Sequence, residues 1–165
     1  MAEMLERCDA AGSPLGAVSR ERAHGDPTVI HLVVHLHVFH PDGRLLLQKR
    51  SLAKDLYPGV WDTAVGGHVG AGEDVRAALQ REAREELGID ASGAVALHSY
   101  LHANPHESEY VHTWRLVSEG PFEPNRLEIQ EVRFHTAQEI QGHLGDGTYT
   151  PNFEAEWARI REKAR

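Results

Sequence analysis

Glu82, Glu85 and Glu86 lie in a stretch whose apolar residues, Val75, Ala78, Leu79 and Ala83, recur at helical spacing. With about 100° per residue, those four side chains share one face. Glu82 and Glu86 fall near the centre of that face, and Glu85 falls at its edge. Carboxylates that continue an apolar stripe are costly, because buried like charges lose hydration and repel one another. A hard divalent cation removes both penalties, since clustered carboxylate oxygens are the ligands such ions prefer. The competing interpretation is a solvated helix on which Arg81 pairs with Glu85 four residues on. Gly66, Gly67, Gly70 and Gly72 immediately upstream favour the metal. They predict a flexible loop that brings backbone close to phosphate or metal and feeds a helix N-terminus.

The elements that must position these groups follow from pattern. A helix is predicted from about Asp74 to Leu87, with Gly88 placed to end it. Val29 to Phe39 alternates, with Ile30, Leu32, Val34, Leu36 and Val38 on one face and His31, His35 and His37 on the other. Pro41-Asp42-Gly43 is a turn signal, after which Arg44 to Lys49 returns as a strand. Asp9 to Ser19 has the character of a hairpin, 50–58 of a polar loop, and Val60 to Val65 of a short extended piece. Further strands are expected over Val95–Leu101, Tyr110–Val117 and Glu131–His135. Thr136 and Glu139 have capping-box spacing, and Phe153, Trp157 and Ile160 make a docking stripe on a last helix running to about Lys163. This order predicts an α+β fold with a mixed β-sheet, arranged as a single domain over residues 1–165.

Composition narrows the functional classes. Seventeen basic against 25 acidic residues give a net charge of −8, which disfavours non-specific binding to nucleic acid or to an anionic membrane. A phosphate substrate must therefore meet a local cation. Lys49, Arg50 and Lys54 supply one candidate cluster. Cys8 is the only cysteine, which excludes an intrachain disulfide and suits a cytoplasmic location. The longest apolar run, Ile30 to Phe39, is broken by three histidines, so no transmembrane span is expected.

The segment GHVGAGEDVRAALQREAREELGI, from Gly67 to Ile89, resembles a complete Nudix box, G-x5-E-x7-R-E-U-x-E-E-x-G-U with U aliphatic. Gly67, Glu73, Arg81, Glu82, Glu85, Glu86 and Gly88 fill its fixed positions, and Ala83 is a minor departure at an aliphatic one. The resemblance implies a loop–helix–loop catalytic unit in an α/β/α sandwich and hydrolysis of a nucleoside diphosphate linked to another moiety. It also implies Mg²⁺ or Mn²⁺ held by Glu82, Glu85 and Glu86, with Arg81 pairing with Glu73 or a ligand glutamate to hold the cluster. Gly66 and Gly67 would then lie against the substrate. The base that takes the proton from the attacking water is left open between a box glutamate and one in a loop such as that before Glu131.

A second resemblance, to the isopentenyl-diphosphate delta-isomerase branch of the same fold, rests on five further strings. They are DAAGSPLG from Asp9, HLVVHLHVF from His31, LLLQKRSLAK from Leu45, PGVWD from Pro58 and GGHV from Gly66. That branch implies a second site for a divalent transition metal at His24, His31, His68, Glu107 and Glu109, and diphosphate contacts from Arg50 and Lys54. Two departures weigh against isomerase chemistry. Gly66 stands where that branch keeps its catalytic cysteine, and the box here is intact. The expectation is a hydrolase of a small diphosphate, with an isomerase-like enzyme and a non-catalytic nucleotide-binding module as the alternatives.

Overall fold

The computed structural model describes residues 3–161. Its centre is β3 (Ile30–Phe39), which no single layer could bury alone. The strand pairs in parallel with β8 (Ser108–Val117) along its whole length, from Ile30↔Ser108 to Phe39↔Val117. Antiparallel partners complete its borders: β6 (Val65–His68), β1 (Met4–Cys8) and, at the last residue, β4 (Leu45–Arg50). Outward from these, β2 (Pro14–Ser19) pairs with β1, β7 (Val95–Ala103) with β8, and both β5 (Trp61–Thr63) and β9 (Ile129–His135) with β4. Among the described residues this is a nine-stranded mixed sheet.

Alternation along β3 and β4 divides the interior into two cores. Leu32, Val34, Leu36, Val38 and Leu46 pack with Ala78, Leu79, Ala83 and Leu87 of α2 (Val75–Leu87). Phe39, Leu45 and Leu47 pack on the other side with Ile140 of α3 (Ala137–Gly142) and Phe153, Trp157 and Ile160 of α4 (Pro151–Ile160). Helices therefore flank the sheet on both faces, as the expected sandwich requires. The stripe on the last helix docks as its spacing predicts, and the Thr136–Glu139 capping box is formed in both directions. The part of that helix expected beyond residue 161 lies outside the described residues. No helix among the described residues is long and apolar enough to cross a membrane.

Several expectations are corrected. The histidine face of β3 is covered by α4 and the strands beside β3, and His31 and His37 are fully buried. The hairpin begins earlier than Asp9, with β1 as its first arm and the turn closed by Asp9 and Ser13. β1 has five residues, too few to show a period in the sequence. The six-residue helix α1 (Arg20–Gly25), capped by Ser19, also went unpredicted, since it buries only Ala23. The extended piece near Val60 is two strands, and the second carries Gly66 and Gly67 inside the sheet rather than in a loop.

α2 starts at Asp74, whose carboxylate accepts from the Ala77 N–H at 3.2 Å. It ends at Gly88, left-handed at φ 66°. A side chain at Gly88 would bring its Cβ to 3.1 Å from Cβ of Glu123. Gly88→Ala is expected to lower unfolding free energy by about 1–2 kcal/mol from the left-handed backbone alone. Urea denaturation checks this, and an unchanged midpoint would show that the cap does not limit the helix.

Candidate active site

On α2, Glu86 is buried among Ala83 and Leu87, as the helical wheel requires, while Glu82 is nearly buried and Glu85 is 57% exposed. Arg81 ties the acids together. Its Nε and Nη2 donate to the two oxygens of Glu73 at 2.8 and 2.9 Å. Its Nη1 donates to Glu82 at 2.8 Å and to Glu85 at 3.2 Å, and Nη2 also reaches the His68 carbonyl at 3.0 Å. The bidentate fork holds Glu73 below the usual carboxylate range, with the Gly70 N–H adding a further bond. Glu82 moves the other way, because burial outweighs its bond to Arg81.

Among the described residues Glu86 has no cationic partner. Its oxygens accept only from the Gly66 N–H at 3.1 Å and the Gln48 amide at 3.3 Å. Burial, then the charge of Glu82, push it up to about 8. A carboxylate so placed, beside a second one, suits a hard divalent cation, whose charge would replace the missing partner.

The glycines serve close approach rather than flexibility. A Cβ on Gly67 would sit 2.1 Å from the Glu82 carboxyl carbon, so any side chain there displaces that acid. Gly67 and Gly66 pair with Val34 and His35 of β3, which fixes the floor beneath α2.

Arg81, Glu82, Glu85, Glu86, Gly66 and Gly67 line one cleft of about 910 Å³, with walls drawn from α1, β3, β4, β5, β6, β8 and α2. Arg50 and Lys54 line it as expected; Arg50 donates to Asp62 at 3.2 Å, and Lys54 lies 3.8 Å from Glu128. Lys49 does not. Strand alternation turns it with Leu45 and Leu47 toward the far face of β4, while Gln48 and Arg50 face the cleft. Glu128, in the loop before β9, lines the cleft near enough for its charge to raise Glu82 and Glu86.

The same cleft reaches a second group. His24 Nε2 lies 3.0 Å from His68 Nε2 and 3.6 Å from Glu107, and His31 Nε2 lies 3.9 Å from both Glu107 and Glu109. One ligand atom from each of His24, His31 and His68 falls within 4.8 Å of the others, and so does one from each of His31, Glu107 and Glu109. All five residues singled out in the sequence are thus brought together. Both His31 ring nitrogens are sealed from solvent without a hydrogen-bond partner. Burial pushes His31 down to about 4; burial, then the neighbouring histidines, push His68 down to about 3. Burial and Glu107 push Glu109 up. Three imidazoles converging beside two carboxylates are a donor set for a transition ion.

Sequence inspection missed three contributors: Gln48, which bridges Glu86 and the Ala64 carbonyl, and His35 with its distant partner Glu156. The alternation of β3 marked His35 as polar, but nothing local pointed to Glu156.

Because the folded protein favours the protonated form of Glu86, its stabilising contribution is complete below the unfolded carboxylate range near pH 4.3 and lost as pH rises through about 8. In chelator, the Tm of the parent is expected to fall across that window, and Glu86→Gln to flatten the fall and raise Tm at pH 8–9. The scale is roughly 2–4 °C for each kcal/mol relieved. Parallel Tm–pH curves for the two proteins would contradict this.

Comparison with known proteins agrees with the geometry. The NUDIX domain family model matches residues 29–153. An isopentenyl-diphosphate delta-isomerase of Streptomyces avermitilis is 34% identical over 143 residues, covering 83% of this chain and 73% of the relative. An uncharacterized Nudix hydrolase of Listeria monocytogenes is 34% identical over 129 residues, covering 77% and 76%. Among solved structures, a Deinococcus radiodurans protein superposes with TM-score 0.81 at 23% identity, over 95% of this chain and 98% of that one. The NUDIX domain of Shewanella oneidensis NrtR, in complex with ADP ribose, gives 0.65 at 13% identity, over 81% and 88%. The chain belongs to the Nudix family, in the branch that holds the isopentenyl-diphosphate isomerases and their Nudix hydrolase relatives.

Proposed function

We propose that this chain hydrolyses a diphosphate linkage in a small organic diphosphate, with nucleoside diphosphate derivatives foremost. The observation that carries it is the acid set Glu82, Glu85 and Glu86 lining one cleft, with Arg81 tying Glu82 and Glu85 to Glu73 behind them. Glu82, Glu85 and Glu86 would hold Mg²⁺ or Mn²⁺, and His24, His31, His68, Glu107 and Glu109 a second divalent transition ion. When bound, such ions supply charge neutralisation for the diphosphate and acidify the attacking water.

The chain's own residues do the rest. Arg81 keeps the carboxylates in register, and Gly67 leaves room for Glu82. Arg50 and Lys54 offset the negative charge of the wall. We assign Glu128 to take the proton from the attacking water, because it lines the cleft from a loop while Glu86 is enclosed. The NrtR domain in complex with ADP ribose supports a small diphosphate in a cleft of this fold.

The names of the isomerase relatives and the histidine–glutamate cluster favour a second reading, isomerisation of a prenyl diphosphate. Against it stands Gly66 at the cysteine position. Cys8 does not line the cleft, and burial, followed by the charges of Asp9 and Glu6, pushes its thiol up to about 11.

A panel of nucleoside di- and triphosphates, sugar nucleotides and dinucleotides, assayed with Mg²⁺ and Mn²⁺, tests the proposal alongside isopentenyl diphosphate. Turnover of at least one panel member is expected. Glu85→Gln and Glu86→Gln should each remove most of it, and retention within about threefold of the parent at saturating metal would reject their role. Glu128→Gln is expected to cost on the order of 10²-fold in kcat, the usual scale for a lost general base. No dimethylallyl diphosphate is expected above a no-enzyme control, and its formation would favour the isomerase.

A further inference from the structure

Arg20, Arg50, Lys54 and Arg81 line the cleft among the described residues, as does the imidazole of His35. The first four spend their charge on acids of the same cleft. Arg20 pairs with Glu3 at 2.9 Å, Arg50 with Asp62 at 3.2 Å, and Arg81 with Glu82 and Glu85; Lys54 lies 3.8 Å from Glu128. His35 is arranged differently, because its counter-charge lies behind it.

His35 Nδ1 donates to Glu156 Oε2 at 2.8 Å. Glu156 comes from α4, is 1% exposed, and is absent from the cleft wall. The same carboxylate accepts from His37 Nε2 at 2.6 Å and from the Tyr100 hydroxyl. Three donors converging on one enclosed carboxylate fix its position and, through it, the His35 ring. Burial works against a charge on His35, but the charge of Glu156 prevails and holds it up at about 9, with Glu109 and Asp62 adding to the effect.

The other ring nitrogen is free for a ligand. Among the described residues no hydrogen bond ties His35 Nε2 to the protein, and the atom is not among those sealed from solvent. The ring edge runs beside Gly66: a Cβ there would lie 3.3 Å from Cδ2 and 3.6 Å from Nε2 of His35. Gly66 also donates its N–H to Glu86. The Nε2–H therefore enters the cleft next to the box acids and on the strand that carries His31.

We propose that His35 is a substrate-binding residue whose Nε2–H donates to a non-bridging oxygen of the substrate's diphosphate, with Glu156, His37 and Tyr100 as its positioning group. This rests on the cleft being a diphosphate site. It gives an acidic wall one cation that an anion can reach without displacing a carboxylate.

Imidodiphosphate, a non-hydrolysable diphosphate, is the probe, titrated calorimetrically with Mg²⁺ present. His35→Asn can keep a donor to Glu156 through its amide while deleting the cleft-facing nitrogen. It is expected to weaken imidodiphosphate by about 10–100-fold, the scale of a lost hydrogen bond to a charged group. KM should rise while kcat changes little, and Mn²⁺ affinity without the probe should stay within threefold of the parent. His35→Gln, whose amide reaches further, should recover part of the loss. Nitrogen NMR of the parent supplies a readout independent of either variant folding: imidodiphosphate should shift His35 Nε2 and leave His37 unmoved. Failure of the parent to bind the probe would overturn the diphosphate site and this proposal together. Parental affinity in His35→Asn, a parallel loss of Mn²⁺ affinity, or an unmoved Nε2 resonance would overturn the role of His35 alone.

Discussion

Glu86 sits on the apolar face of α2, buried against the sheet, with Glu82 one turn away and, among the described residues, no cationic partner. Two acids in such a place repel one another and lose hydration, so something must compensate, and the rest of the cleft is arranged around that demand. Arg81 offsets part of it by holding Glu73, Glu82 and Glu85 in one fork. Gly66 and Gln48 provide neutral donors for Glu86. A divalent ion would fill the remaining deficit of positive charge, which is the role proposed for the acidic helix.

The sheet answers the same demand at a second place. β3 buries both faces, so its histidines need partners, and each finds acids. His31 meets Glu107, just before β8, and Glu109 of β8, the parallel neighbour of its strand, together with His24 and His68. His35 and His37 meet Glu156 from α4. In the first cluster both nitrogens of His31 are orphaned, whereas in the second, one carboxylate accepts from both rings and only His37 Nδ1 is left unbonded. That difference separates a donor set suited to a metal from a fixed polar support.

Much of this was legible because it is local. The period of α2, its Asp74 and Gly88 ends, and the burial of Glu86 all follow from residues within one stretch. The histidine and glutamate positions of the second cluster came from resemblance, since their meeting depends on α1, β3, β6 and β8, which no spacing reveals. Pairings across the chain stayed hidden: His35 and Glu156 are 121 positions apart, and His37 and Glu156 are 119 apart. Gly66 and Gly67 misled in another way. Glycines suggest a loop, but here they belong to a strand that must let an acid come close. Lys49 failed for want of phase, because a basic run on a strand sends alternate residues to opposite faces.

The most direct test of the account is an anomalous-difference map from crystals of the protein grown with Mn²⁺. The account predicts a manganese peak bonded to carboxylate oxygens of Glu82 and Glu86 at about 2.0–2.3 Å, the range for hard divalent ions. A map in which Mn²⁺ binds elsewhere, with Glu86 still held only by Gly66 and Gln48, would contradict it.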